Sequence, residues 1–232
     1  MPAPRTLQSL CFATALAACG QPPTPESEPV EISPTDFVVF DCGSQRAAPC
    51  AVLSAGGKQI VFGAPAGAIA DLQSVDLARL DALMLFSLAA ESIEGVDEIR
   101  NASWRAGRLD PLRLAGPEGV AAFAAGVDAA FQAADALAVI DAPPPGGFDA
   151  APLAPVTGRR AGQWRAFDTG DLTIDVQAAA GGRAEYLVIY EGEALGVGAC
   201  GLAVGRWPGC LGDGADHPWP LGEVFFVDRS EP

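Results

Sequence analysis

Histidine is almost missing from this chain: His217 is the only one in 232 residues. One histidine cannot supply a metal centre built on histidine pairs. It also lies far in sequence from the serines of residues 87–92, so a nucleophile there lacks a nearby histidine base. Lysine is just as scarce, with Lys58 alone, so arginine carries the positive charge. Basic residues number 14 against 29 acidic ones, for a net charge of −15. Such an excess repels phosphate backbones and excludes nucleic acid as a partner. It favours solubility without pointing to any anionic substrate. Charge is sparse overall, 19% of residues, while 50% are hydrophobic. That balance excludes global disorder and suits one packed domain or a small pair.

The N-terminus has a logic of its own. Arg5 precedes an apolar run, Leu7 to Ala18, that is too short to span a bilayer, which takes about 20 residues. It fits a signal peptide over residues 1–18. The ending Leu16-Ala17-Ala18-Cys19 resembles the bacterial lipobox, which implies lipid attachment at Cys19. Residues 19–35 are rich in Pro, Glu and Ser and read as an extended tether. Gly20 is not the acidic residue linked with inner-membrane retention. The expected address is therefore the cell envelope, lipid-anchored at the periplasmic face of the outer membrane.

A folded domain is expected over residues 36–232. Phe37 to Phe40, Ala51 to Leu53 and Gln59 to Phe62 read as strands, with a hairpin turn at Gly56-Gly57. Leu83-Met84-Leu85-Phe86 ends a buried strand and breaks into the small polar stretch Ser87 to Ser92. A strand that runs through a loop into a helix is a common way to place a site. A helix is expected from Ser92 to Arg105, and a strand from Leu112 to Leu114. A second helix carries Val120, Phe123, Val127 and Phe131 at steps of three and four, as an ordinary surface helix packing on a sheet. Residues 143–158 read as a Pro/Gly-rich loop. Strands follow near Gln163–Phe167, Leu172–Val176, Glu185–Tyr190 and Ala194–Val197. His217 lies in a Gly/Pro/Asp segment that reads as an exposed loop.

The stretch from Asp81 to Val96 resembles the metallo-β-lactamase superfamily, whose signature there is roughly LTHxHxDHxxG. Leu85 and Gly95 match the frame. Ser87, Ala89 and Ser92 stand where the three histidines belong, and Glu91 stands for the aspartate. Upstream, Asp41 to Ser44, Arg46 to Pro49 and Gly56 to Phe62 follow the order of that superfamily's opening, with Gly63 in place of an aspartate. Downstream, Trp104, Gly107, Arg108, Pro111, Leu112, Leu114, Gly116, Pro117 and Gly119, then Phe123, Gly126, Ala130 and Phe131, resemble its arylsulfatase and tRNase Z-like branch. A histidine-bearing loop of the family falls on Ala180-Gly181-Gly182. Its metal-bridging aspartate falls on Cys200, and its "HE" on Val227-Asp228. The resemblance implies an α/β fold, an αββα sandwich, C-terminally shortened. The family uses zinc; with these ligands gone, no cofactor and no catalytic residue are expected.

The remaining candidates for a metal are Glu91, Cys200, His217 and Asp228. Beyond Cys11 in the signal and Cys19, four cysteines are left: Cys42, Cys50, Cys200 and Cys210. An even number in an exported protein reads as disulfides, with three possible connectivities. Short loops favour Cys42–Cys50 and Cys200–Cys210, and the second pairing would remove Cys200 from the metal candidates. Three functions stay open. The chain is a non-catalytic pseudoenzyme that binds a small molecule or envelope partner at the former active-site rim, with Ser87, Ala89, Glu91, Ser92 and Cys200 as vestigial positions. Alternatively it is a metallo-hydrolase with an atypical metal site, or a structural envelope protein with a closed rim.

Overall fold

The computed structural model describes residues 33, 35–42, 48–72, 75–179, 181–210, 215–221 and 224–227. The expected signal peptide, Cys19 and the tether lie outside the described residues except for its last positions; Arg46, Ala180 and Asp228 lie outside as well. Two sheets stack face to face. The first carries β1 (Val38–Asp41), β2 (Ala51–Ala55), β3 (Lys58–Phe62), β4 (Leu80–Met84), β5 (Leu112–Ala115), β6 (Leu153–Pro155) and β13 (Phe225–Phe226), in the order β13-β1-β2-β3-β4-β5-β6. Strands β13 to β3 pair antiparallel, and β3 to β6 pair parallel. The second sheet carries β7 (Gln163–Asp168), β8 (Leu172–Ala179), β9 (Arg183–Tyr190), β10 (Glu193–Gly198), β11 (Gly201–Val204) and β12 (His217–Pro218). It is antiparallel throughout, in the order β12-β11-β10-β9-β8-β7.

Alternation explains the stacking. Leu172, Ile174 and Val176 of β8 and Tyr186, Val188 and Tyr190 of β9 point inward at two-residue steps and are buried. They meet Val39, Leu53, Ile60, Phe62, Met84 and Phe86 from the first sheet in one inter-sheet core. The other face of the first sheet buries Val61, Leu83, Leu85 and Leu114 under helices. These helices are α1 (Ala90–Ile93), α2 (Val96–Ala106) and α3 (Val120–Asp141). Parallel strands buried on both faces read as near-continuous apolar runs, and Leu83 to Phe86 is such a run.

Helix α3 is 22 residues long and apolar enough, by composition, to cross a bilayer. Its inward carboxylates fix it instead as a layer of the sandwich. Asp135 Oδ1 accepts from Arg100 Nη1 of α2 at 3.4 Å, and Asp135 Oδ2 accepts from Arg100 Nη2. Asp128 Oδ1 lies 3.3 Å from Arg100 Nε and also accepts the Leu153 N–H at 3.1 Å. One buried arginine thus joins α2, α3 and β6. The expected apolar stripe is only partly buried: Val120 is covered, while Phe123, Val127 and Phe131 are half-covered.

Three local expectations change. The loop expected over 143–158 contains β6, whose register places Leu153 against Leu112. A strand containing Pro155 is tolerated because β6 is the sheet's edge, where no ladder donor is needed from proline. His217, expected in a loop, is exposed but pairs with Leu202 in the two-residue edge strand β12, where Pro218 is tolerated for the same reason. The helix expected from Ser92 to Arg105 is broken at Gly95, whose N–H donates to Ala64 O at 2.8 Å.

Candidate functional site

Strand β4 delivers the signature loop at its C-terminal end. Leu85 N–H donates to Ala115 O at 2.8 Å, which holds the loop's root beside β5. The segment after β3 clamps the other side. Gly63 N–H donates to Met84 O at 2.7 Å, and Ala64 N–H donates to Ser92 O at 3.2 Å. Two glycines make that approach possible. Gly63 has φ +77°, and a Cβ there would sit 2.1 Å from Pro49 O. A Cβ on Gly95 would sit 2.4 Å from Pro65 O. The glycine at the end of the signature frame therefore has a packing role of its own, separate from any ligand chemistry.

Within the loop, the structure brings Ser87 and Ser92 together. Ser87 Oγ donates to Ser92 Oγ at 2.9 Å, and Ser87 Oγ accepts the Ala89 N–H at 3.3 Å. Both serines are half-buried, whereas Ala89 and Glu91 are exposed. Glu91 lies in the first turn of α1 with an exposed side chain.

The second sheet closes on this loop. Ser87 forms a β-bridge with Arg183 at the start of β9, and Ala184 N–H donates to Phe86 O at 2.7 Å. Beneath the bridge, Tyr186 is fully buried among Phe62 and Phe86, with ring centroids 5.2 and 5.9 Å away. Its hydroxyl donates to Leu85 O at 2.6 Å. Burial pushes the Tyr186 phenol well above its usual range. Sequence reasoning missed this plug. A tyrosine in an alternating strand reads as core, and no local signal says that it sits under the signature loop.

Cys200 occupies the turn between β10 and β11 and is disulfide-bonded to Cys210. The turn is held further by Trp219 Nε1, which donates to Gly198 O at 2.8 Å. Glu185, two residues past the bridge on β9, accepts the Cys210 N–H at 2.9 Å and is buried. One strand start thus organises both the serine loop and the disulfide turn. Cys42 and Cys50 form the other disulfide, between β1 and β2. His217 stays at the edge of the second sheet, its ring 4.5 Å from Phe225.

The donor set does not fit zinc. Serine hydroxyls are poor ligands and here are bonded to each other. Cys200 Sγ is in a covalent bond and has no thiolate to offer. Among the described residues, no group of three or more His, Cys, Asp or Glu side chains is placed to hold a metal ion.

Two stacked sheets, one mixed and one antiparallel, with helices on the mixed one and a loop at the C-terminal end of β4 meeting β9, define the metallo-β-lactamase fold. Human tRNase Z, short form, superposes with a TM-score of 0.52 at 12% identity, over 69% of this chain and 68% of that one. The metallo-β-lactamase fold protein YhfI from Bacillus subtilis aligns at 12% identity over 68% of this chain and 60% of its own, with a TM-score of 0.45. No family model and no curated sequence matches the chain. At this identity the likeness speaks for the fold alone.

Proposed function

We propose that this chain is a non-catalytic, lipid-anchored protein of the bacterial envelope. It is a degenerate relative of the arylsulfatase and tRNase Z-like branch that binds a small molecule or an envelope partner at the former active-site rim. The observation that carries the proposal is the Ser87–Ser92 hydrogen bond beneath the Ser87–Arg183 bridge. Where a hydrolase of this fold needs open coordination around a metal-bound water, two hydroxyls are hydrogen-bonded to each other and the loop is paired to the start of β9. The exposed residues Ala89 and Glu91 remain on the outside as the contact surface. The membrane anchor is assigned to Cys19, and neither zinc nor another cofactor is required.

Elemental analysis of protein purified without chelator tests the proposal. Zinc, iron and manganese should each fall far below one per chain. Ester, phosphodiester, sulfate-ester and β-lactam substrates should turn over no faster than with the Glu91→Ala variant. Stoichiometric metal, with activity that disappears in Glu91→Ala, would overturn it in favour of an atypical metallo-hydrolase.

A further inference from the structure

The opposite end of the first sheet holds a cavity of about 510 Å³. Strands β3, β4 and β5 run parallel, and Lys58, Asp81 and Pro111 lie at their starts, whereas Ser87 follows the end of β4. Asp81 and Ser87 are six residue steps apart, about 20 Å of extended chain. The cavity is therefore distinct from the signature loop. Its volume falls within the range of small-molecule sites.

Positive charge collects there in a chain whose net charge is −15. Lys58, the only lysine, lines the cavity with Arg79, Arg108 and Arg113. Three carboxylates, Asp81, Asp110 and Asp168, stand among them. Two of these are already engaged. Asp81 pairs with Lys58 at 3.3 Å and accepts the Gln59 N–H, and Asp168 pairs with Arg165 at 3.1 Å. Arg79 has no ion pair among the described residues, and Arg113 contacts only the Phe167 ring, at 5.2 Å from its centroid. Arg108 is buried and donates to neutral oxygens, Ser103 Oγ at 3.1 Å and the Asp110 carbonyl, while its Nη2 has no partner. Burial, and then Arg100, lower the Arg108 pKa to about 10, so it keeps its charge at neutral pH in a setting that rewards a counter-anion. Among the described residues these three guanidiniums have no ion pair, and the four cations of the lining against Asp81, Asp110 and Asp168 leave a surplus of one positive charge, since Arg165 also serves Asp175 at 2.8 Å and does not neutralise Asp168 alone.

We propose that this cavity binds a small organic dianion, a phosphate monoester or a dicarboxylate, whose charges meet Arg79 and Arg113 and whose apolar part rests on Phe167 and Leu109. Leu109 is 68% exposed and lines the cavity, so it offers a surface that a ligand would cover. The site does not depend on whether the signature loop holds a metal, and either idea can fail without the other.

Calorimetric titration with phenyl phosphate and with phthalate tests it, using benzyl alcohol as the neutral control. At least one dianion should saturate at one per chain, weaken as salt is raised, and outbind benzyl alcohol. Which of the two binds more tightly identifies the head group. Arg79→Gln and Arg113→Gln, both exposed positions, should each weaken binding about tenfold or more. Asp110→Asn should tighten it, because it removes an opposing charge that has no ion pair among the described residues. Circular dichroism and melting curves establish that each variant is folded. The proposal is overturned if neither dianion binds saturably, if benzyl alcohol binds as well, or if the folded double variant Arg79→Gln, Arg113→Gln binds unchanged.

Discussion

Removing Asp135 should destabilise the domain far more than removing any surface charge. Arg100 is 1% exposed and Asp135 5%, so the pair is out of water. Asp135→Ala strands the guanidinium with only Asp128, 3.3 Å from Nε and itself partly exposed. Breaking a buried pair by removing one partner costs about 3–5 kcal/mol, and the remaining Asp128 places this case at the low end, about 3 kcal/mol. With a urea dependence of about 2–3 kcal/mol per molar, the unfolding midpoint should fall by about 1–1.5 M. Equilibrium urea unfolding under non-reducing conditions measures it. The double variant Arg100→Met, Asp135→Leu should recover most of the loss, because the cost lies in the unpaired charge and not in the packing. Arg206→Ala, which removes the exposed pair to Asp216, should leave the midpoint within error. A loss below about 1 kcal/mol in Asp135→Ala, or a double variant as unstable as the single one, would refute the assignment of this pair as the joint between α2 and α3.

Other outcomes follow from the same geometry. Tyr186→Phe leaves the Leu85 carbonyl without its donor and should cost about 1–3 kcal/mol. The raised phenol pKa also sets a pH signature: below the unfolded value near 10 the tyrosine is neutral in both states and its contribution is complete. As pH rises further, only the unfolded chain ionises, so stability is lost, and alkaline melting curves of Tyr186→Phe should lack that part of the slope. Replacing Cys42 and Cys50 together by alanine should cost about 2–3 kcal/mol from the chain entropy of so short a loop, read as a lowered melting temperature. Cys19→Ser should abolish palmitate labelling, and an unlabelled wild type would remove the anchor.

Much of the fold was legible because its strands obey a two-residue alternation that depends on nothing distant. Leu172, Ile174 and Val176, or Tyr186, Val188 and Tyr190, announce an inward face by themselves. What stayed hidden depends on partners far along the chain. β6 could not be read because Leu153-Ala154-Pro155 is too short and carries a proline, and only the parallel register with Leu112 makes it a strand. The break at Gly95 was hidden for the same reason, since its cause is the carbonyl of Ala64. The basic cavity escaped notice because Lys58, Arg79, Arg108 and Arg113 are scattered over four segments. Scarcity of cations was the one clue available, and it gives no position.

The candidate site divides into residues that hold the scaffold and residues that fill the loop. Gly95 and Leu85 have scaffold roles that can be stated in ångströms: a backbone carbonyl 2.4 Å from an absent Cβ, and a backbone hydrogen bond of 2.8 Å to β5. Any side chain at Gly95 would force Pro65 and the segment after β3 away, whatever the chemistry of the loop. Ser87 and Ser92 instead meet through their side chains, and Ala89 is exposed. In this loop the two hydroxyls meet at 2.9 Å, and Ser87 bridges to Arg183 at the start of β9. A larger ring at position 87 would displace that hydrogen bond and press on Arg183. Ser87→His should therefore lower stability and expose Tyr186 to solvent, measurable as a fall in the melting temperature together with a phenol pKa closer to its ordinary value. A Ser87→His protein with unchanged melting and an unchanged alkaline titration would show that the loop still has room for the ring, and that the closed state described by the bridge is not what holds it.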